Sequence, residues 1–173
     1  MRPSRLRRIA AVVAIASAIG GCGGRTLRVV QPLPTDVAPA TFQGLTVARE
    51  TSADSAFATA GSASMVAHGG VWTARGQDGQ LVAALQVSVL GARYDTTDIA
   101  VRRGVRANIE TGRYRWQKVD GQWVGIQELA ETRLYLWFPP GGGLFEVLQV
   151  RRSAADPLRL LSGILQYQQG KGR

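Results

Sequence analysis

The pair Asp120-Gly121, which stands between two runs of alternating side chains, constrains the fold more than any other feature of the sequence. Asp-Gly is favoured in two-residue β-turns because both turn positions take a positive φ. It predicts a hairpin over residues 113–129, with RYRWQKV before the turn and QWVGIQEL after it. So short a turn also fixes which residues face each other across the strands. The facing pairs are Val119–Gln122, Lys118–Trp123 and Trp116–Gly125.

Two further hairpins are predicted from alternation and from turn residues. Residues 81–89 place five apolar side chains on one side of a strand, and they pair with residues 65–75 across a turn at 76–79. Residues 133–138 and 144–150 pair across a loop of two prolines and three glycines. In the first strand of that hairpin, Leu134, Leu136 and Phe138 point to one side, and Arg133, Tyr135 and Trp137 to the other.

Two helices are predicted as well. The first covers residues 97–111, with Thr97 as its N-cap and Asp98 in the first turn, where the helix dipole favours negative charge. The second begins at the C-terminal side of Asp156, with Pro157 at the first helical position, where the missing N–H of proline is harmless. Its predicted apolar face consists of Leu158, Leu160, Leu161, Ile164, Leu165 and Tyr167.

The order of these elements predicts an α+β fold, a mainly antiparallel β-sheet packed with two or three helices. The third helix depends on residues 52–64, which fit either a short alanine-rich helix or a polar loop. No segment of the sequence is identified as a repeat of another. The element order looks like that of the Mog1/PsbP-type sandwiches, a fold of various small exported and lipid-anchored proteins. That resemblance implies a fold and no particular activity.

The first 22 residues carry the features of an export signal. Four arginines and no acid lie within residues 1–8, and residues 9–19 follow as an uncharged apolar run of 11 residues. A transmembrane helix needs about 20 apolar residues, so this run fits the apolar region of a secretory signal peptide. Cys22, the only cysteine of the chain, comes three residues after the run ends at Ile19.

The segment Ile19-Gly20-Gly21-Cys22 resembles the lipobox of bacterial lipoprotein signal peptides. The resemblance implies that the Cys22 sulfur receives a diacylglyceryl group and that cleavage leaves Cys22 as the new N-terminus. It implies an exported protein that is anchored by lipid to the outer face of the cell membrane or to an outer membrane. The predicted organisation is a signal peptide at 1–21, a lipidated, proline-containing tether at 22–41 and a single α+β domain at 42–173.

Nearly half of the excess positive charge of the chain belongs to this predicted signal segment. Without residues 1–21, Lys+Arg falls from 21 to 17 while Asp+Glu stays at 12, so the net charge falls from +9 to +5. The remaining bias is mild and suits anionic lipid headgroups or simple solubility. Nucleic acid is therefore not expected as a partner.

No catalytic, metal or cofactor site is predicted. His68 is the only histidine, and the chain has no Gly-x-Ser-x-Gly motif of the kind that presents a hydrolase nucleophile. Metal sites usually draw on several His or Cys ligands. Paired carboxylates for glycoside hydrolysis remain open, but the spacing selects no pair. The candidate acids are Glu110, Asp120, Glu128, Glu131 and Glu146.

Aromatic and basic residues concentrate in residues 113–145. If the two hairpins of this region are adjacent, their rings form one stripe that would hold a sugar ring, an acyl chain or a polypeptide. The predicted stripe consists of Tyr114, Trp116, Trp123, Tyr135 and Trp137. The alternative, which is favoured, is that helices cover this face and that the rings belong to the core.

Together these features predict a membrane-anchored envelope lipoprotein, a non-enzymatic module that binds or scaffolds an unknown ligand or protein partner. One alternative is a carrier with an internal cavity for lipid or glycolipid. A less favoured alternative is a small hydrolase that acts on envelope polymers.

Overall fold

The computed structural model describes residues 29–51, 65–109, 114–154 and 156–171. Within these ranges the chain forms eight strands and two helices. The first half contains β1 (Thr41–Phe42), β2 (Leu45–Arg49), β3 (Val66–Arg75), β4 (Leu81–Leu90) and α1 (Ile99–Ile109). The second half contains β5 (Arg115–Val119), β6 (Gln122–Glu128), β7 (Thr132–Trp137), β8 (Leu144–Arg151) and α2 (Pro157–Gly170).

All eight strands belong to one antiparallel sheet, in the order β1-β2-β3-β4-β8-β7-β6-β5. The three predicted hairpins are present as β3–β4, β5–β6 and β7–β8. The central pairing joins β4 to β8, which are far apart in the chain. The prediction of an α+β protein with a mainly antiparallel sheet is therefore confirmed. None of the helices in the described ranges is both long and apolar enough to cross a bilayer.

The sheet has an internal two-fold arrangement that sequence reasoning missed. Four strands and a helix occur twice, as β1–β4 with α1 and as β5–β8 with α2. Trp72 faces Leu85 in the β3–β4 hairpin, just as Tyr135 faces Leu148 in the β7–β8 hairpin. Each of these two leucines begins the same tripeptide, Leu-Gln-Val, and the two face each other between β4 and β8. A local two-fold axis therefore passes between Leu85 and Leu148.

We call the side of the sheet that α2 covers the inner face and the opposite side the outer face. The inner-face core contains alternate residues of the central strands and the apolar side of α2, among them Leu85, Val87, Tyr135, Trp137, Leu148, Leu161 and Leu165. The outer-face core is smaller and contains Leu134, Leu136, Phe145, Val147 and Val101 of α1. Hydrophobic stabilisation scales with the apolar area buried, so the inner face contributes the larger share.

The sheet curls strongly around α2. Eight strands in a flat sheet would place the two edges roughly 34 Å apart, at about 4.8 Å per strand. Here adjacent residues of α2 contact both edges. Gly163 lies against the ring of Phe42 in β1, and the hydroxyl of Ser162 donates to the carboxylate of Asp120, in the turn before β6. Two diagonally opposite corners of the sheet therefore fold onto the middle of the helix.

The curl explains why the two helices lie on opposite faces. The two corners are equivalent under the two-fold axis, since each is a two-residue turn with positive φ, at Gln43-Gly44 and at Asp120-Gly121. Because both corners contact the middle of α2, this helix lies across the axis. Two helices cannot occupy one position on an axis. The first-half helix, α1, accordingly packs on the outer face through Val101.

The N-terminal segment corrects a predicted domain boundary. Residues 22–41 were expected to form a tether, yet Val37 is fully buried in the inner-face core and Val30 and Leu33 pack against it. A Cβ added to Gly70 would lie 2.9 Å from Leu33, so this leucine closely contacts β3. The folded body therefore begins near residue 30 because these apolar side chains cover the part of the inner face that α2 leaves open.

The helix boundaries bring two smaller corrections. The first helix begins at Ile99, and the carboxylate of Asp98 accepts from the backbone N–H of Ala100, so Thr97 is not its N-cap. The hydroxyl and N–H of Thr97 instead donate to Asp95. In α2, the predicted Asp156 cap and Pro157 are confirmed, but Leu158, which was predicted on the apolar face, is 42% exposed in the first turn of the helix. The predicted alternatives for residues 52–64 lie outside the described residues.

Candidate binding surface

The β5–β6 hairpin builds the candidate surface. Asp120 and Gly121 both have positive φ, of 47° and 80°, as the predicted turn requires. The observed register pairs Trp116 with Gly125 and Lys118 with Trp123, as predicted. A Cβ added to Gly125 would lie 2.8 Å from the indole of Trp116, so this ring rests directly on the bare backbone of β6.

Three half-buried aromatic rings form a cluster on the outer face. Trp116 stacks on Phe138, with ring centroids 6.4 Å apart and planes 10° from parallel. Tyr114 lies against the same indole at 6.3 Å with an interplanar angle of 35°. Offset and tilted ring pairs of this kind add to the stabilisation that area burial provides. The cluster therefore stabilises this edge of the sheet.

Trp123 is the exposed member of this region. Its side chain is 55% exposed, and the ammonium of Lys118 lies 5.7 Å from the centroid of its ring. Both residues project from the outer face, one strand apart, because they face each other in the β5–β6 register. An exposed tryptophan beside a lysine presents a flat apolar ring and a positive charge together.

Tyr135 and Trp137 do not belong to this surface, which corrects the predicted five-residue stripe. They are 0% and 1% exposed and lie in the inner-face core. The reason is the period of two along β7, which turns these rings away from the outer face while Leu134 and Leu136 point toward it. The indole N–H of Trp137 is buried without a hydrogen-bond partner among the described residues.

Tyr135 is linked to a partly exposed ion pair. Burial raises the pKa of its phenol above the ordinary value of 10.0, and a hydrogen bond from Arg133 partly opposes that rise. The donor is a guanidinium N–H, 3.4 Å from the phenol oxygen. Another nitrogen of Arg133 lies 2.6 Å from the carboxylate of Glu128. Glu128, at the end of β6, and Arg133, near the start of β7, therefore form a structural ion pair.

The remaining candidate acids lie in separate places. Glu146 is 2% exposed on the inner face, where its carboxylate accepts from the amide of Gln168 at 2.8 Å. Asp120 is bound to α2, Glu128 to Arg133, and Glu131 is exposed in the β6–β7 turn. Glu110 lies outside the described residues. Within the described ranges, no three His, Cys, Asp or Glu side chains are grouped as metal ligands would be.

A contact between the N-terminal segment and the end of α2 was missed from the sequence. The hydroxyl of Tyr167 donates to Asp36, which also pairs with Lys171 at 3.0 Å. The amide of Gln168, besides its bond to Glu146, donates to the carbonyl of Val37 at 3.0 Å. The only signal for it was a glutamine on the apolar side of a predicted helix, which is weak.

Comparisons with known proteins identify no relative of this chain. No family model, curated protein sequence or solved structure matches it. The likeness of its element order to Mog1/PsbP-type sandwiches therefore stays a prediction. Cys22 and the predicted signal segment lie outside the described residues.

Proposed function

We propose that the protein is an exported lipoprotein of the bacterial envelope, anchored through lipid on Cys22, with a non-enzymatic body that binds a partner. The observation that carries the proposal is the position of the single cysteine, directly after a basic segment, an 11-residue apolar run and two glycines. A diacyl anchor at this position is effectively permanent, whereas a single acyl chain binds membranes reversibly.

The packing of the N-terminal segment supports a short tether. Val30 packs against the inner-face core, whereas Val29 is 87% exposed. About seven residues then separate the anchor from the body, and a fully extended chain of that length reaches roughly 25 Å. The body accordingly stays close to the bilayer that holds the anchor.

The proposed binding surface is the exposed part of the outer face around Trp123. It is supported by the exposure of this indole and by Lys118 beside it, on a hairpin that also carries stacked rings. The surface includes three residues of the predicted stripe, Tyr114 and Trp116 in the half-buried ring cluster and Trp123 as the exposed ring, while Tyr135 and Trp137 are assigned to the core.

Mass spectrometry of the protein purified from bacterial membranes tests the anchor. The expected mature chain begins at Cys22 and carries fatty acids, and it partitions with membranes. Cys22→Ser is expected to abolish acylation and to release the chain from the membrane fraction. A mature chain that starts elsewhere, or a Cys22 terminus without fatty acid, would refute the proposal.

The alternative of a carrier with an internal cavity gains no support from the apolar cleft between α2, residues 38–42 and the sheet. This cleft holds a cavity of only about 10 Å³ and is lined by apolar residues alone. Ligand sites usually enclose about 300–1,000 Å³, so the cleft is too small for an acyl chain.

A further inference from the structure

A second exposed apolar residue lies at the end of the sheet that carries Trp123. It is Ile99, the first residue of α1, and its side chain is 59% exposed. Gln122, which precedes Trp123, donates its side-chain amide to the carbonyl of Phe138 at 3.1 Å. The β7–β8 loop begins at this phenylalanine. On the other side of the loop, the carbonyl oxygen of Gly142 accepts a hydrogen bond from the N–H of Thr96 at 2.8 Å. Thr96 lies just before the start of α1. Trp123 and Ile99 therefore flank one loop.

We call the exposed apolar side chains at this end the rim, which consists of Trp123, Pro140 of the intervening loop and Ile99. Trp123 projects from the outer face, and α1 packs on that same face through Val101. The other strongly exposed apolar side chain of the folded core elements, Leu158, lies in the first turn of α2, the helix that covers the inner face. The rim is therefore confined to the outer-face side of the sheet.

The charges around the rim are predominantly basic and accessible. Arg93, Arg103 and Lys118 are exposed near it. The acids of the same end are engaged in hydrogen bonds to neighbouring groups. Asp95 accepts from Thr97, Asp98 accepts from the N–H of Ala100, and Asp120 accepts from Ser162.

An apolar rim that contains tryptophan and is flanked by lysine and arginine has the chemistry of the bilayer interface. Tryptophan is enriched at the headgroup level because its ring is apolar and its N–H needs a polar partner. Basic side chains near the surface are attracted by anionic headgroups, and their long apolar stems allow the charge to reach them. A tether of about seven residues keeps the body close to that interface.

We propose that the partner of this surface is the anionic bilayer itself, so that the body rests on the membrane with the rim in the headgroup region. The inference rests on the proposed lipid anchor for the nearness of the membrane, and on the rim for the orientation. It assigns the anionic phosphate of the lipid headgroups as the group that Lys118, Arg93 and Arg103 meet.

Fluorescence quenching in vesicles tests the orientation. The full acylated protein is reconstituted into vesicles of phosphatidylglycerol and phosphatidylcholine with brominated acyl chains, which quench nearby indoles. Trp72 and Trp137 are buried and Trp116 is half-buried, so most of the quenching is expected to come from Trp123. Trp123→Phe should remove most of it. The double variant Trp123→Phe/Leu158→Trp moves the exposed indole to α2, on the inner-face side of the sheet, and should restore little quenching.

Equal quenching in the two variants and the original protein, or strong quenching of the relocated indole, would overturn the orientation. Replacing phosphatidylglycerol by phosphatidylcholine should reduce quenching of Trp123 while the acylated chain stays in the vesicles, and unchanged quenching would refute the role of the anionic headgroup. A protein that carries no fatty acid would refute only the proposed anchor. Quenching of Trp123 at high vesicle concentration would then still test whether the rim binds the bilayer. An unquenched indole would refute bilayer binding and point to a protein or glycan partner instead.

Discussion

Gly163 in the middle of α2 allows a quantitative test of how the sheet curls around this helix. A glycine-to-alanine change inside a helix normally stabilises a protein by about 1 kcal/mol. At Gly163 the added Cβ would come closer than 3.0 Å to two ring carbons of Phe42 and 3.1 Å from a third. Packed carbon atoms lie about 3.5–4.0 Å apart, so the ring must move by at least ~0.5 Å. Such overpacking costs about 1–3 kcal/mol. Gly163→Ala is therefore expected to destabilise the protein by about 1 kcal/mol.

Chemical denaturation of four variants measures this effect. Gly170→Ala, at the end of the same helix, meets no atom within 4 Å and should be neutral or slightly stabilising. In a Phe42→Ala background the obstacle is gone, and Gly163→Ala should stabilise. The double-mutant cycle should therefore give a coupling free energy of about 1–3 kcal/mol, as for residues in direct contact. A stabilising effect of Gly163→Ala in the unmodified protein would refute the corner-to-helix contact.

Three further predictions concern the core and the loops. Trp137→Ala should cost about 3–5 kcal/mol of unfolding free energy, whereas Trp123→Ala should cost less than about 1 kcal/mol in the same denaturation assay; similar costs would contradict the two assignments. Because burial raises the pKa of Tyr135, its contribution to stability is present below pH 10.0 and is lost as the pH rises through the higher folded pKa. Tyr135→Phe should therefore flatten the alkaline side of a Tm-against-pH profile. An unchanged slope would show that ionisation of Tyr135 does not cause the alkaline loss of stability. Gly142→Ala should destabilise more than Gly141→Ala, because both glycines have positive φ but only at Gly142 would the added Cβ overlap the carboxylate of Asp95. Equal losses of Tm would show that backbone strain alone acts.

The hairpins were predictable because their signals are local. A two-residue Asp120-Gly121 turn leaves one register, so facing pairs such as Trp116 and Gly125 follow from the sequence. The start of α2 was predictable for the same reason, since Asp156 and Pro157 act within a single turn. Such features depend on atoms a few residues apart, and tertiary packing does not alter them.

Long-range packing determines the pairing of β4 with β8. It also determines on which face of the sheet each aromatic ring lies. Nothing in the sequence near Tyr135 distinguishes a ring that faces α2 from one that faces solvent, because both faces of β7 are apolar. The role of Val37 was missed because prolines around it suggest an extended tether, although extended chain also packs well against a sheet. The binding surface could be predicted in part, since Trp123 and Lys118 face each other in the hairpin register.

The central pairing of β4 with β8 has a consequence for the synthesis of the chain. Strand Leu81–Leu90 is ten residues long and mostly apolar, and its partner Leu144–Arg151 emerges about 60 residues later. Until then β4 presents an open, uncharged edge, which is the kind of segment that templates aggregation. In a chain that is truncated before β8, the edge of β4 stays unpaired. Rapid completion of the chain through β8 is therefore expected to limit aggregation of this protein during synthesis.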